Sequence, residues 1–415
     1  MLNDYVFDPS AQERLRHGSA GSHLDGFTEW LAVHHYADLT IRSYILAADK
    51  FMAWWTRVSD GAALPEAQHT SLAAYRAHLS TVGHRGTRAY EHGNAYCGAR
   101  RFLLFLREAG IVPCTAQIGR PHQGLAARFR NWMREHRGVC EITLDGYSRV
   151  LDRLLTTLGT EPRLYTAAQL RAFVFSQARG RSHSKADTVV TAVRMFVRFL
   201  IACQECPDHL QHAIPRVAGW RQASLPRYLE PADVERIIDA CDPSTPLGAR
   251  DRAIVLLLAR LGLRAGDVAG LRLQDMDWAC GRVRVSGKSR LTTWLPLPQD
   301  AGDALLHYLA TGRRAVGGDG VFLITRAPYT PIIARQVSST AERAILRAGV
   351  KAPSLGAHVF RHSAATTWLR QGLTLQAVGT LLRHRDVDTT ALYAKVDVAL
   401  LRQIAMPWPT EGASC

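Results

Sequence analysis

The chain has 415 residues and is 47% apolar, so it is long enough for two to three domains and too rich in core-forming side chains to be disordered. Its 51 Lys+Arg against 36 Asp+Glu leave a formal charge of +15, which favours a polyanionic partner; most of these cations are arginines, whose planar fork suits phosphate oxygens. The sequence shows no apolar run of bilayer length, no signal-peptide pattern and no basic amphipathic anchor, so nucleic acid is expected rather than a membrane. Eight scattered cysteines point to a reducing, cytoplasmic setting.

In chain order, Thr40 is the expected cap of a helix through IRSYILAADKFMAWW, with Ile41, Tyr44, Ile45, Ala48, Phe51 and Met52 along one stripe. CGARRFLLFLREAGIVP is another helix, ended by Gly110 and Pro113. A similar order recurs in ITLDGYSRVLDRLLTTLG and TAVRMFVRFLIACQECP, where Thr143 and Tyr147 are spaced like Thr40 and Tyr44. Two tandem helical modules are therefore expected, over residues 1–115 and 116–220. Cys203, Cys206, His209 and His212 are all possible zinc ligands. Their pairs follow one another without an intervening finger, and they continue the helical stripe of Val193, Phe196, Val197, Leu200 and Ile201, so they read as structural.

The turn-rich AIPRVAGWRQASLPRY marks a linker, with a boundary near Leu225 and a third domain over 226–415. EPADVERIIDAC and GARDRAIVLLLARLGL read as helices, and GRVRVSGKSRLTTWLPLP alternates on both sides of Gly287 as a short β-hairpin. PIIARQVSSTAERAILRAGV, AHVFRHSAATTWLRQG and TLQAVGTLLRH are helical again. The last is capped by Thr374 and carries Leu375, Val378, Leu381 and Leu382 on one face, ahead of a helix that begins near Asp388 or Thr389. The fold class is mainly α with a small antiparallel sheet.

Six residues of the last domain stand out together: Arg264, Lys288, His358, Arg361, His384 and Tyr393. Taken singly, each has a plain structural explanation, because buried tyrosines, solvated arginines and i, i+3 pairs are common. Attack on a phosphodiester, however, needs a nucleophile, a partner for its proton, an acid for the leaving oxygen and cations for the developing charge. The set supplies all four, and no carboxylate cluster for a catalytic metal is visible in the sequence.

Four segments resemble the boxes of the tyrosine recombinases, the phage-integrase and Xer-like family. LARLGLRAGDVAGLRLQDMDW resembles the first arginine box, and VRVSGKSRLTTWLPLP the lysine hairpin. AHVFRHSAATTWLRQG resembles the His-x-x-Arg box, and LLRHRDVDTTALYAKV the nucleophile box. Order and spacing agree across 226–396, and LPRYLEPADVERII is similar to the family's entry into its catalytic domain. The earlier helices resemble its SAM-like core-binding domains through helix content and position.

The resemblance implies that Tyr393 attacks the scissile phosphate, forming a 3′-phosphotyrosyl link and freeing a 5′-hydroxyl. Arg264 and Arg361 would grip the non-bridging oxygens, Lys288 would protonate the leaving oxygen, His358 would accept or position the tyrosine proton, and His384 would donate to a phosphate oxygen. Asp267 would orient Arg264 or its neighbours. No metal, ATP or other cofactor is implied, because the covalent link keeps the phosphodiester energy. The implied partners are double-stranded DNA at a specific site, held in a C-shaped clamp, and three further protomers acting through a Holliday junction, with or without sister recombinases.

The chain departs from the family at Arg383, where glycine is usual, and Arg385 follows His384; with Arg290 these are candidate DNA contacts, and the first two have a solvated helix face as the alternative. The doubled helical module points towards a mobile-element recombinase. The tail over 398–408 has an apolar face at Leu400, Leu401, Ile404 and Met406 that would dock on its own domain or on a neighbouring protomer. Two alternatives stay open: DNA relaxation of the type IB topoisomerase kind, and a catalytically silent accessory DNA-binding protein.

Overall fold

The computed structural model describes residues 1–59, 69–82, 89–112, 123–216, 226–286, 292–384 and 387–394. Five helices open the chain: α1 (Pro9–His17), α2 (Gly21–Val33), α3 (Asp38–Val58), α4 (His69–Val82) and α5 (Ala89–Glu108). The Asp8 side chain accepts the Ser10 N–H, and Pro9 fills the first position of α1, where a missing donor costs nothing. The stripe expected in α3 is buried at Ile41, Ile45, Ala48, Phe51 and Met52. Thr40 is not its cap: the helix starts at Asp38, and both Thr40 and Ile41 donate to the Ala37 carbonyl. An acidic residue in the first turn suits the helix dipole and moves the start forward by half a turn.

A second set follows as α6 (Gln123–Arg137), α7 (Glu141–Leu158), α8 (Ala167–Ala178) and α9 (His183–Ala202). Its interior is hydrocarbon, with Phe129, Leu151, Leu154, Leu170, Phe196 and Leu200 fully buried and the Phe129 and Phe196 rings edge to face at 5.6 Å. Thr166 and Gln169 close a reciprocal capping box on α8, and α7 ends at Gly159, whose φ of +87° favours a residue without Cβ. Cys206 packs into this interior, and its thiol is pushed up to about 11, mainly by burial. The chain divides into two compact units, Met1–Trp54 with Arg88–Phe102 and Gln222–Cys415, and Trp55–Thr87 with Leu103–Arg221.

The remaining elements are α10 (Pro231–Asp239), α11 (Pro246–Arg260), α12 (Ala265–Ala269), β1 (Met276–Asp277), β2 (Arg282–Ser286), β3 (Thr292–Pro296), α13 (Gln299–His307), α14 (Ala334–Arg347), α15 (Ala357–Arg370), α16 (Leu375–Leu382) and α17 (Val387–Ala394). Helix α11 is the axis of this region: residues 253–258 are all at most 2% exposed, and Thr245 caps it by accepting the Gly248 N–H at 3.0 Å. The expected hairpin pairs β2 and β3 antiparallel, with Val283 opposite Leu295, and its Val283, Val285 and Leu295 side chains enter the core. Two-residue β1 adds a third antiparallel strand that was not expected, because no alternation can be read in two residues. Its Asp277 accepts from Arg282 Nε at 2.7 Å and from the Cys280 N–H, closing the turn into β2. Thr374 caps α16 by accepting the Ala377 N–H, as expected, whereas α17 starts at Val387, slightly before the expected position. No helix among the described residues is long and apolar enough to cross a membrane.

Candidate active site

The site is assembled from the start of α12, one face of α15, the end of α16 and helix α17. Gly262, with φ at +59°, turns the chain out of α11; a Cβ there would lie 2.9 Å from Leu382 Cδ2. This turn presents the Gly262 carbonyl to Arg361 and places Arg264 at the N-cap of α12. Asp267, in the first turn of that helix, accepts the Arg264 backbone N–H at 3.0 Å.

Arg361 is only 1% exposed. Its Nη1 donates to the Gly262 carbonyl at 2.6 Å and its Nη2 to the Leu382 carbonyl, so one guanidinium ties α15 to both neighbouring boxes. Burial, followed by repulsion from Arg264, lowers its pKa to about 10, which still leaves it a cation at neutral pH. His358 lies one turn before it and stays exposed on its outer side. Loss of hydration and then the Arg361 and Arg264 charges hold its pKa below the ordinary value.

Tyr393 is 2% exposed and packs with Ala365, Leu369, Val378 and Leu382. Its hydroxyl shares a hydrogen bond of 2.9 Å with His362 Nδ1, and its ring lies parallel to that of His384 with centroids 6.3 Å apart. Burial raises the phenol to about 12 against the pull of Arg361 and Arg264, so it rests protonated. His384 Nδ1 pairs with Thr390 Oγ1 at 2.8 Å, and burial followed by the surrounding cations lowers its pKa to about 4. Thr390 sits close over Gly379, where a Cβ would come within 3.0 Å of its hydroxyl; a glycine therefore lets α16 and α17 approach.

Of the residues singled out in the sequence, Arg264, His358, Arg361, His384 and Tyr393 converge here, with Asp267 behind Arg264. Lys288, Arg290 and Arg385 lie outside the described residues, as does the tail over 398–408. Arg383 is placed differently from a solvated helix face: its side chain is 9% exposed and its Nη2 pairs with Asp267. It ends α16 with φ at +55°, a left-handed position where glycine is the least strained residue. Its Nε and Nη1 are buried and find no hydrogen-bond partner among the described residues.

His362 is the site residue that the sequence reading overlooked. The signal was its spacing: it follows Arg361 directly and lies four residues after His358, on the same helical face. The two imidazoles meet edge to face at 4.4 Å, and burial, then His358 and Arg361, lower the pKa of His362 to about 4. The site thus gathers three guanidiniums, from Arg264, Arg361 and Arg383, around one carboxylate. Arg361 and Arg383 are buried with a single carboxylate between them and Arg264 beside them, an excess of cation that suits an anion, and a protonated phenol lies next to it.

Comparison with known proteins places the chain in a family. The Phage integrase family is matched over residues 227–399. The chain is 32% identical over 412 residues to y4rA of Sinorhizobium fredii, described as an integrase/recombinase, covering 97% of this chain and 98% of the relative. It is 30% identical over 294 residues to tyrosine recombinase XerD of Vibrio cholerae, covering 68% and 95% of the two chains. In fold it is similar to the XerH site-specific recombinase bound to its difH substrate, with a TM-score of 0.51 at 15% identity, over 80% of this chain and 94% of the other. The chain belongs to the phage integrase family of tyrosine-type site-specific recombinases. Topoisomerase-like relaxation and a silent accessory role are not favoured.

Proposed function

We propose that this protein cuts and rejoins double-stranded DNA at a specific site, with Tyr393 forming a 3′-phosphotyrosyl intermediate that is resolved through a Holliday junction. The observation that carries this reading is a buried, protonated Tyr393 hydroxyl beside an uncompensated cluster of guanidiniums. A phosphodiester entering the site would supply the missing anion. Arg264 and Arg361 would hold its non-bridging oxygens, where charge-assisted bonds in a dry site are strong. His384, fixed through Nδ1 by Thr390, would turn its other nitrogen to a phosphate oxygen. His358, exposed beside both arginines, would face the incoming strand, and Lys288 would protonate the leaving 5′-oxygen. Asp267 would orient the Arg264 backbone, and Arg290, Arg383 and Arg385 are candidate DNA contacts.

The domain arrangement we favour has helical modules over 1–115 and 116–220 ahead of a catalytic domain over 226–415. The separate hydrocarbon interior within 129–214 supports the second module, and the core over 229–360 supports the third domain. In keeping with full-length likeness to an integrase/recombinase, we assign the activity to movement or resolution of a mobile element. Four protomers acting on two duplexes, with sister recombinases and a tail that docks in trans as options, complete the proposal.

The test uses a pool of nicked suicide duplexes built from the DNA flanking the coding locus. The full chain should be trapped as a covalent adduct resistant to denaturation, and Tyr393→Phe should bind the same duplex without forming it. Adduct formation by the Phe variant would remove Tyr393 as nucleophile, and strand exchange between two labelled duplexes separates recombination from simple relaxation.

A further inference from the structure

The phenolic proton must leave Tyr393 as its oxygen bonds to phosphorus, and the chain offers two histidines on α15 to receive it. The resemblance assigns this work to His358. The geometry points instead to His362: we propose that His362 holds the Tyr393 hydroxyl for attack through Nδ1 and takes its proton as the tyrosyl–phosphate bond forms. The inference rests on the reading of Tyr393 as nucleophile.

Three observations carry it. First, the Oη–Nδ1 distance of 2.9 Å is that of a formed hydrogen bond, and with the imidazole proton on Nε2 it runs from the phenol to Nδ1. Secondly, the pairing is held from both sides. His362 is fixed on α15 one position after the buried anchor Arg361, and Tyr393 is fixed by its packing on Leu369, Val378 and Leu382. Thirdly, His362 is surrounded by His358 at 4.4 Å and by Arg361 on its own helix, with Tyr393 from α17. Burial first, and then the His358 and Arg361 charges, keep the imidazole neutral at working pH and therefore able to accept.

In the step itself, a lone pair on Tyr393 Oη forms the new bond to phosphorus and the bond from phosphorus to the 5′-oxygen breaks. The Oη proton passes to His362 Nδ1, and the leaving 5′-oxygen takes a proton from Lys288. The imidazolium so formed lies beside a phosphodiester anion that was absent before DNA entered, which offsets its charge. In rejoining, the 5′-hydroxyl attacks phosphorus and returns its proton to the Lys288 amine, the bond from phosphorus to Tyr393 Oη breaks, and His362 returns the proton to the departing phenolate. His358, one ring further out, keeps its place beside the phosphate.

The experiment measures single-turnover adduct formation on the nicked duplexes, and DNA affinity by gel shift, for full-length His362→Phe and His362→Asn. Phe keeps the ring but accepts nothing. Asn sets an amide oxygen near the place of Nδ1, so that it can hold the hydroxyl but cannot keep a proton. Both should bind DNA within about threefold of the parent. Phe should slow adduct formation by about 10²–10⁴-fold. Asn should fall between the two, with a rate that rises with pH as hydroxide takes over the proton. Adduct formation by the Phe variant within about threefold of the parent overturns the inference, and so does an Asn variant that matches the parent at neutral pH. Should the Phe variant fail to fold, the Asn variant decides alone. Loss of the adduct in Tyr393→Phe together with parental rates in both His362 variants would remove this inference and leave the nucleophile standing.

Discussion

The helical stretch 123–216 and the stretch 226–394 use burial for opposite ends. In the first, the interior is almost entirely hydrocarbon, and its charges stay at the rim, where Arg130 and Arg134 share Glu141 in the open. In the second, Arg250, Asp251, Asp267, Asp275 and Arg361 are taken out of water. A dry apolar interior stabilises the fold for its own sake, whereas a buried charge carries a desolvation cost that a partner only partly offsets. What the second stretch gains at Arg361 is a cation held in a low-dielectric site, where, on the proposed reading, it would act strongly on a phosphate. Both stretches hold an apolar core, and only the second adds buried charge to it.

The largest effect that tests this contrast lies in the helical stretch. Phe196 is fully buried and touches both Phe129 and Phe199, so Phe196→Ala should cost about 3–5 kcal/mol of stability. Denaturant unfolding reads that loss. At saturating DNA and low temperature, the adduct rate per folded molecule should stay within about twofold. A collapse of chemistry in a variant that remains folded would break the division between the two stretches.

A second substitution probes the buried charges. Asp267→Asn would still accept the Arg264 N–H but would leave Arg383 buried without its counter-charge, a loss of about 3 kcal/mol. Arg383→Gly removes the orphan cation and also suits the left-handed backbone at φ +55°. The double variant should therefore recover most of the stability lost in Asp267→Asn, measured as a double-mutant cycle by chemical denaturation. Simple additivity would show that the pair is not coupled and that Arg383 finds its stabilisation elsewhere.

The same contrast explains how far the sequence could be read. Periodic burial is local, so the α3 stripe, the α16 face with its Thr374 cap, and the β2–β3 hairpin were all visible in short windows. The candidate site residues Arg264, His358, Arg361, His384 and Tyr393 were visible because the proposed chemistry restricts residue type and order. Partnerships made across the fold were not visible. Asp267 and Arg383 are 116 residues apart, and nothing at Arg383 distinguishes a buried cation from a solvated one until α12 and α16 meet. His362 was overlooked for the same reason: its contact with Tyr393 spans 31 residues, while its own neighbours read as an ordinary helix. The local misses are small: the start of α3, where an acidic first turn outweighed a good capping residue, the start of α17, and the two-residue strand β1.

The smallest effect concerns pH, where the two stretches should respond over separate ranges. His362 and His384 are held at about 4, against 6.5 for an ordinary imidazole, by burial and then by the Arg361 charge with His358, joined at His384 by Arg264. Between those two values the unfolded chain binds more protons than the folded one, so acidification favours unfolding. The penalty is absent above pH 6.5, grows through pH 5 and is complete near pH 4. At pH 5 it amounts to no more than about 2 kcal/mol per ring, and nearer 1 because both rings keep partial access to water. In the helical stretch, the strongly lowered acid is Glu141, held at about 2 chiefly by Arg134; its contribution stands above 4.5 and is lost only as pH falls towards 2. Moving from pH 7 to pH 5 therefore loads these two histidines and leaves that acid untouched. The drop in unfolding free energy over this interval should be smaller in His384→Gln than in the parent by about 1 kcal/mol. An unchanged pH slope in His384→Gln would mean that His384 already carries its proton in the folded protein, and that the guanidiniums around it are better screened than their burial implies.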